Sequence, residues 1–97
     1  MQKPQGVRAM FDNGGRSCDR YLVVYEGEID QETGLTHYTY LSASEDPFHP
    51  QGVGVHGETT RLFWRDPEFR ATHLPVPWAG LPDAVKRAVL FDVMEDA

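Results

Sequence analysis

One cysteine, Cys18, stands alone among 97 residues, so no intrachain disulfide can form. No apolar run approaches the ~20 residues that a membrane-crossing helix needs. The opening MQKPQGVRAM has no apolar core of the signal-peptide kind, so a cytoplasmic location is expected. Basic residues are scarce as well: 9 Lys plus Arg against 15 Asp plus Glu give a formal net charge of −6. Surfaces that hold phosphate are built from clustered Lys and Arg. Without such a cluster, direct binding to nucleic acid or to an anionic membrane is disfavoured, and the expectation is a basic partner or a binding event that does not depend on charge.

Signatures of catalysis are missing too. Neither Gly-x-Ser-x-Gly nor His-Glu-x-x-His occurs, and GVGVHG (residues 52–57) lacks the Gly-Lys-Ser/Thr ending of a phosphate loop. The histidines at 37, 49, 56 and 73 form no tight pair of the kind that fixes two zinc ligands on one turn. No catalytic residue, metal or cofactor is therefore assigned. A small hydrolase or metal-dependent enzyme built on His49, His56 and Cys18 is kept as the alternative.

What is present is ordinary globular material, 40% hydrophobic and 11% aromatic, enough for one domain over residues 1–97. GVRAMFD alternates like a half-buried strand, with Val7, Ala9 and Phe11 on one face and Arg8, Met10 and Asp12 on the other. A reversal at Asn13-Gly14-Gly15 follows. RYLVVYEGEID, rich in β-branched and aromatic residues, is the strongest strand signal. After a turn at QETG, LTHYTYLSA completes an antiparallel hairpin. Regular patterning then stops after Ser44 for about 15 residues, a length that signals either a functional loop or a disordered one.

TTRLFWR reads as a fourth strand, and DPEF as one helical turn with Asp66 as its cap and Pro67 in its first position. HLPVPWAG is an extended connector in which Trp78 anchors on the core. LPDAVKRAVLFDVMEDA is a helix with an apolar stripe of Leu81, Ala84, Val85, Ala88, Val89 and Val93, while Lys86, Arg87 and Asp92 fall elsewhere on the wheel. The expected fold is α+β in two layers: a three- to four-stranded antiparallel sheet covered by one C-terminal helix.

Two groups of residues are candidates for contact with a partner. If the second strand extends far enough, Glu26, Glu28 and Asp30 share one face at a spacing of about 6.6–6.8 Å. That spacing is close to that of successive phosphates on one nucleic-acid strand. The plainer reading is a solvated hairpin end that discourages edge pairing. The second group, Phe48, His49, Gln51 and His56, is carried by a loop whose Pro47, Pro50, Gly52, Gly54 and Gly57 define one backbone path. That loop suits recognition, and equally suits packing over a sheet edge with Phe48 inward.

DRYLVVY, PFHPQGVGVHGE and LPDAVKRAVLFDV together resemble a family of small uncharacterised bacterial and phage proteins. Its members commonly read Asp-Arg-Tyr-x-Val-Val, then a His-Pro-Gln-Gly-x-Gly loop, then a Leu-Pro-initiated C-terminal helix. The likeness spans about Phe11 to Val93, and Pro50, Gln51, Gly52 and Gly54 are its most specific part; a Met often stands there where this chain has Leu41. The resemblance implies a fold and a mobile-element setting, and no reaction. Small acidic phage proteins often bind and block a host machine, defence complexes included. The expectation is thus a non-enzymatic inhibitor of a nucleic-acid-binding complex, acting through a phosphate-mimicking surface. A homo-oligomer using an exposed sheet edge is the third alternative.

Overall fold

The computed structural model describes residues 3–95. Met1 and Gln2, and the Asp96 and Ala97 expected at the end of the helix, lie outside the described residues. Six strand segments are present: β1 (Val7–Asp12), β2 (Tyr21–Tyr25), β3 (Glu28–Ile29), β4 (Thr36–Ala43), β5 (Gly54–Thr59) and β6 (Leu74–Pro75). Two helices, α1 (Pro67–Thr72) and α2 (Asp83–Glu95), and 3-10 turns at Phe63–Arg65 and Trp78–Gly80 complete the elements of the described residues. The class is α+β with an antiparallel sheet, as expected, but with more strands than the three or four read from the sequence. Among the described residues no helix is long and apolar enough to cross a membrane.

β4 is the centre of the site half of the sheet. It pairs with β2 over Tyr40–Ala43 and with β5 over Tyr38–Ala43, and its first residues pair with β3. β1 continues the sheet beyond β2, and β6 lies beyond β1. The register of β3 on β4 (Glu28↔His37) is offset by one residue from that of β2 (Val24↔Tyr40). The single strand expected over RYLVVYEGEID is therefore broken after Tyr25.

Both faces of the sheet are covered, which makes three layers rather than two. On one face Val7, Tyr21, Val23, Leu41 and Ala43 pack against Trp78, Leu81, Val85 and Val89. This is the expected seat of α2 and of the Trp78 anchor. On the other face Phe11, Leu22 and Val24 meet Trp64, flanked by Tyr38, Tyr40, Phe63 and Phe69. Edge-to-face ring pairs such as Tyr38–Trp64 (5.0 Å) and Phe11–Phe69 (5.1 Å) hold this second layer.

Four local expectations need correction. A bulge between Val7 and Ala9 moves Val7 onto the α2 face with Met10 and leaves Ala9 and Phe11 on the aromatic face. One extra residue reverses the side-chain alternation, so Val7 and Phe11 do not share a face. The fourth strand is not TTRLFWR: Phe63–Arg65 forms a 3-10 turn, which carries Trp64 onto the sheet, and the strand is Gly54–Thr59. Its glycines hid it. A Cβ at Gly57 would collide with the Tyr40 ring opposite, so this strand needs a residue of poor β propensity. Finally, α1 runs for six residues rather than one turn, and Asp66 makes no capping bond because its carboxylate takes Arg61 at 3.1 Å.

Candidate functional site

Two hollows lie along β5 on the side of the sheet that carries α2. The first is a cavity of about 480 Å³ whose lining includes Glu26, Glu28, His37, Thr39, Glu58 and Val93. Its geometry follows from the strands. Glu28 stands opposite His37, and Glu58 opposite Thr39, so carboxylates reach one face of β4 from both of its sides. Glu26 sits at the break after β2, where its N–H donates to the Gly6 carbonyl at 2.7 Å and its carboxylate lies 3.6 Å from Arg8. Among the described residues three carboxylates and no Lys or Arg line the cavity. Val93 belongs to the last turn of α2, which has no basic residue, so the negative end of the helix dipole adds to the field.

Asp30 is outside that lining, although its Oδ2 stands 3.8 Å from Nε2 of His37, which lines the cavity. Asp30 forms the hairpin turn, accepting the Glu32 N–H on Oδ1 at 2.9 Å, while its backbone bonds to Gly34 and Leu35. That Glu32 N–H holds the Asp30 carboxyl below its ordinary value. The evenly spaced row of Glu26, Glu28 and Asp30 is therefore not formed, because the strand that would have spaced it ends at Tyr25. Glu26 and Glu28 converge instead with Glu58.

The second hollow, about 260 Å³, lies between the loop and α2 and is lined by Leu41, Pro47, Phe48, Ala88, Phe91 and, at its polar end, His56 and Asp92. Phe48 points outward, 59% exposed, with the Arg87 guanidinium 5.7 Å from its ring centre, so it does not pack inward. Phe91 is 61% exposed. Asp92 Oδ2 accepts Tyr25 Oη–H at 2.6 Å and lies 2.8 Å from His56 Nε2, joining β2, β5 and α2.

The loop from Ser44 to Val53 is two successive turns rather than a linker. His49 N–H donates to the Asp46 carbonyl and Gly52 N–H to the His49 carbonyl. A Cβ at Gly52 would collide with the Asp46 carbonyl oxygen, which is why glycine is needed there. Ser44 closes the loop by exchanging bonds with Val53, and Gln51 N–H donates to His49 Nδ1 at 3.1 Å. His49, Pro50 and Gln51 are exposed.

A third hollow of about 350 Å³ brings Cys18, His49 and Gln51 near one another, while His56 lies on the other side of the loop. The trio His49, His56 and Cys18 is not assembled. Nearby, Arg20 forks onto Asp12 at 2.7 and 3.0 Å and reaches Glu45 at 3.0 Å; Asp19 accepts Ser17 and Ser42 hydroxyls. The Arg20 bond holds the Asp12 carboxyl below its ordinary value, and the two serine bonds do the same for Asp19. The Asp-Arg-Tyr segment is a framework for the sheet end. Among the described residues no three of His, Cys, Asp and Glu are grouped so as to hold a metal ion.

Glu58, Phe91 and Asp92 were missed from sequence. Phe91 did carry a signal: with Met94 it is apolar yet off the buried stripe of α2, and both are exposed. Compared with protein-family models, with curated proteins and with solved structures, the chain matches none.

Proposed function

We propose that this chain is a non-enzymatic binding protein for a basic protein segment, received in the cavity of Glu26, Glu28 and Glu58. The observation that carries the reading is the lining: among the described residues, three carboxylates, no Lys or Arg and the C-terminal end of a helix around about 480 Å³. A carboxylate cluster of this kind attracts Lys or Arg side chains and raises their association rate. On this reading the carboxylates act in place of nucleic-acid phosphates toward the partner's basic segment. With the phage-like setting that the sequence resemblance supplies, holding that segment blocks the partner, a host nucleic-acid-binding complex.

A fluorescently labelled octalysine peptide tests the cavity directly. Its affinity for the protein should fall as salt rises, because exposed charges are screened within about 10 Å at 0.1 M salt. Exposed pairs are individually worth under about 1 kcal/mol, so single changes should matter little. Glu26→Gln, Glu28→Gln and Glu58→Gln combined should weaken binding roughly tenfold or more, about 1.4 kcal/mol. Asp30→Asn, at a residue committed to the turn, should add little. A triple variant that binds octalysine like the wild type would contradict the proposal.

A further inference from the structure

The two outer edges of the sheet are unlike. One ends in β6, two residues long and containing Pro75, a form that closes an edge to further pairing. The other is β5, six residues without proline or lysine, exposed at Gly54, Val55, His56 and Glu58. Among the described residues β5 pairs only with β4.

The direction of its free backbone groups follows from the ladder. Ser44 N–H donates to the Val53 carbonyl at 2.8 Å, so that rung is a hydrogen-bonded one. Antiparallel rungs alternate. Val55, Gly57 and Thr59 therefore bond inward to β4, and the N–H and C=O groups of Gly54, His56 and Glu58 face outward. The side chains at the same positions lie on the α2 face. Gly54 and His56 border the apolar hollow, and Glu58 borders the acidic cavity. One exposed strand thus runs past both hollows.

We infer that the basic partner binds as an added strand on β5, placing an apolar side chain in the Phe48–Phe91 hollow and a Lys or Arg two positions along in the Glu58–Glu28–Glu26 cavity. The inference rests on the reading that the partner is basic. Residues two apart on a strand share a face at about 6.6–6.8 Å. One opposite His56 meets the apolar hollow and the next on that face, opposite Glu58, meets the carboxylates. Outward backbone groups supply the attachment, and the two hollows supply the selectivity, as in other strand-addition complexes. Charge decides the occupant. A second copy on this edge brings together two chains of −6 each, whereas a basic segment is drawn to it.

The probes are labelled octapeptides of threonine that contain one Leu and one Lys, separated by no, one or two intervening residues. A matched set carries N-methyl groups on the backbone amides that would pair with β5. The one-residue spacing should bind at least tenfold tighter than the others, lose that advantage on N-methylation, and slow amide exchange at Gly54, His56 and Glu58. Glu58→Lys should abolish the preference for Lys. If the spacings bind alike, N-methylation has no effect and octalysine still binds the acidic cavity, strand addition is overturned while the basic-partner reading stands. If neither octalysine nor any octapeptide binds, both fail. If β5 amides are instead protected in a concentration-dependent dimer, the edge belongs to a second copy and the inference is overturned.

Discussion

Asp92 joins three elements through one oxygen, receiving Tyr25 Oη–H and standing 2.8 Å from His56 Nε2. Hydrogen bonds to a charged group are worth about 1.5–3 kcal/mol, and losing the acceptor removes both of these. Asp92→Ala should therefore lower stability by about 1–3 kcal/mol in urea unfolding, and Asp92→Asn, which keeps an acceptor, by less. Equal and negligible losses would contradict its joining role. Asp12 and Asp19 act at the same scale through proton linkage. Both carboxyls sit below their ordinary value in the fold, so the stabilisation is present above the unfolded value near ~4 and is lost as pH falls through the lowered folded values. The melting temperature should fall steeply below pH about 4, and Asp12→Asn should make that fall shallower; an identical slope in both proteins would contradict it. These roles were hidden in the sequence, since Asp12 and Arg20 pair across a turn and Asp92 meets His56 across 36 residues. Trp78 was legible as an anchor, being large, apolar and set between prolines, and it is 5% exposed. Its indole N–H has no acceptor among the described residues, a cost of about 1–3 kcal/mol. Burial of the ring, at about 25 cal/mol/Å² over 150–250 Å², gives about 4–6 kcal/mol and outweighs it.

Elements were legible where one period dominated. VVY in β2 and the valine stripe of α2 announce themselves because each buries a regular set of side chains. Val85 and Val89 are fully buried, so Val85→Asp or Val89→Asp places an unpaired carboxylate in the core at a cost of several kcal/mol, comparable with the whole stability of a small domain. Neither variant should give a cooperative melt by circular dichroism at the wild-type temperature. The layer around Trp64 was not legible, because LFWR carries both helical and strand-like spacing and only tertiary contact with Tyr38 and Phe11 selects the turn. Trp64→Ala, at a residue 3% exposed, should cost about 3–5 kcal/mol in urea unfolding. A loss under 1 kcal/mol would mean that the aromatic layer does not pack as described. β5 was hidden for a different reason: Gly54 and Gly57 read as loop residues, and Gly57 is required only because Tyr40 crosses it.

At the scale of the molecule, covering both sheet faces leaves its edges as the places where a partner's backbone can attach, and β6 closes one of them. The acidic balance of −6 was readable from composition, and its concentration around β5 was not, since Glu28 and Glu58 meet only through the β3–β4–β5 pairing. Amide chemical-shift mapping with unlabelled octalysine tests the location most directly. Binding at the cavity predicts shifts centred on Tyr25–Glu28, His37–Thr39, Glu58 and Val93, fading as salt is added. Shifts centred instead on Asp12, Glu45 and Asp46, or an equal spread over every exposed carboxylate, would contradict it.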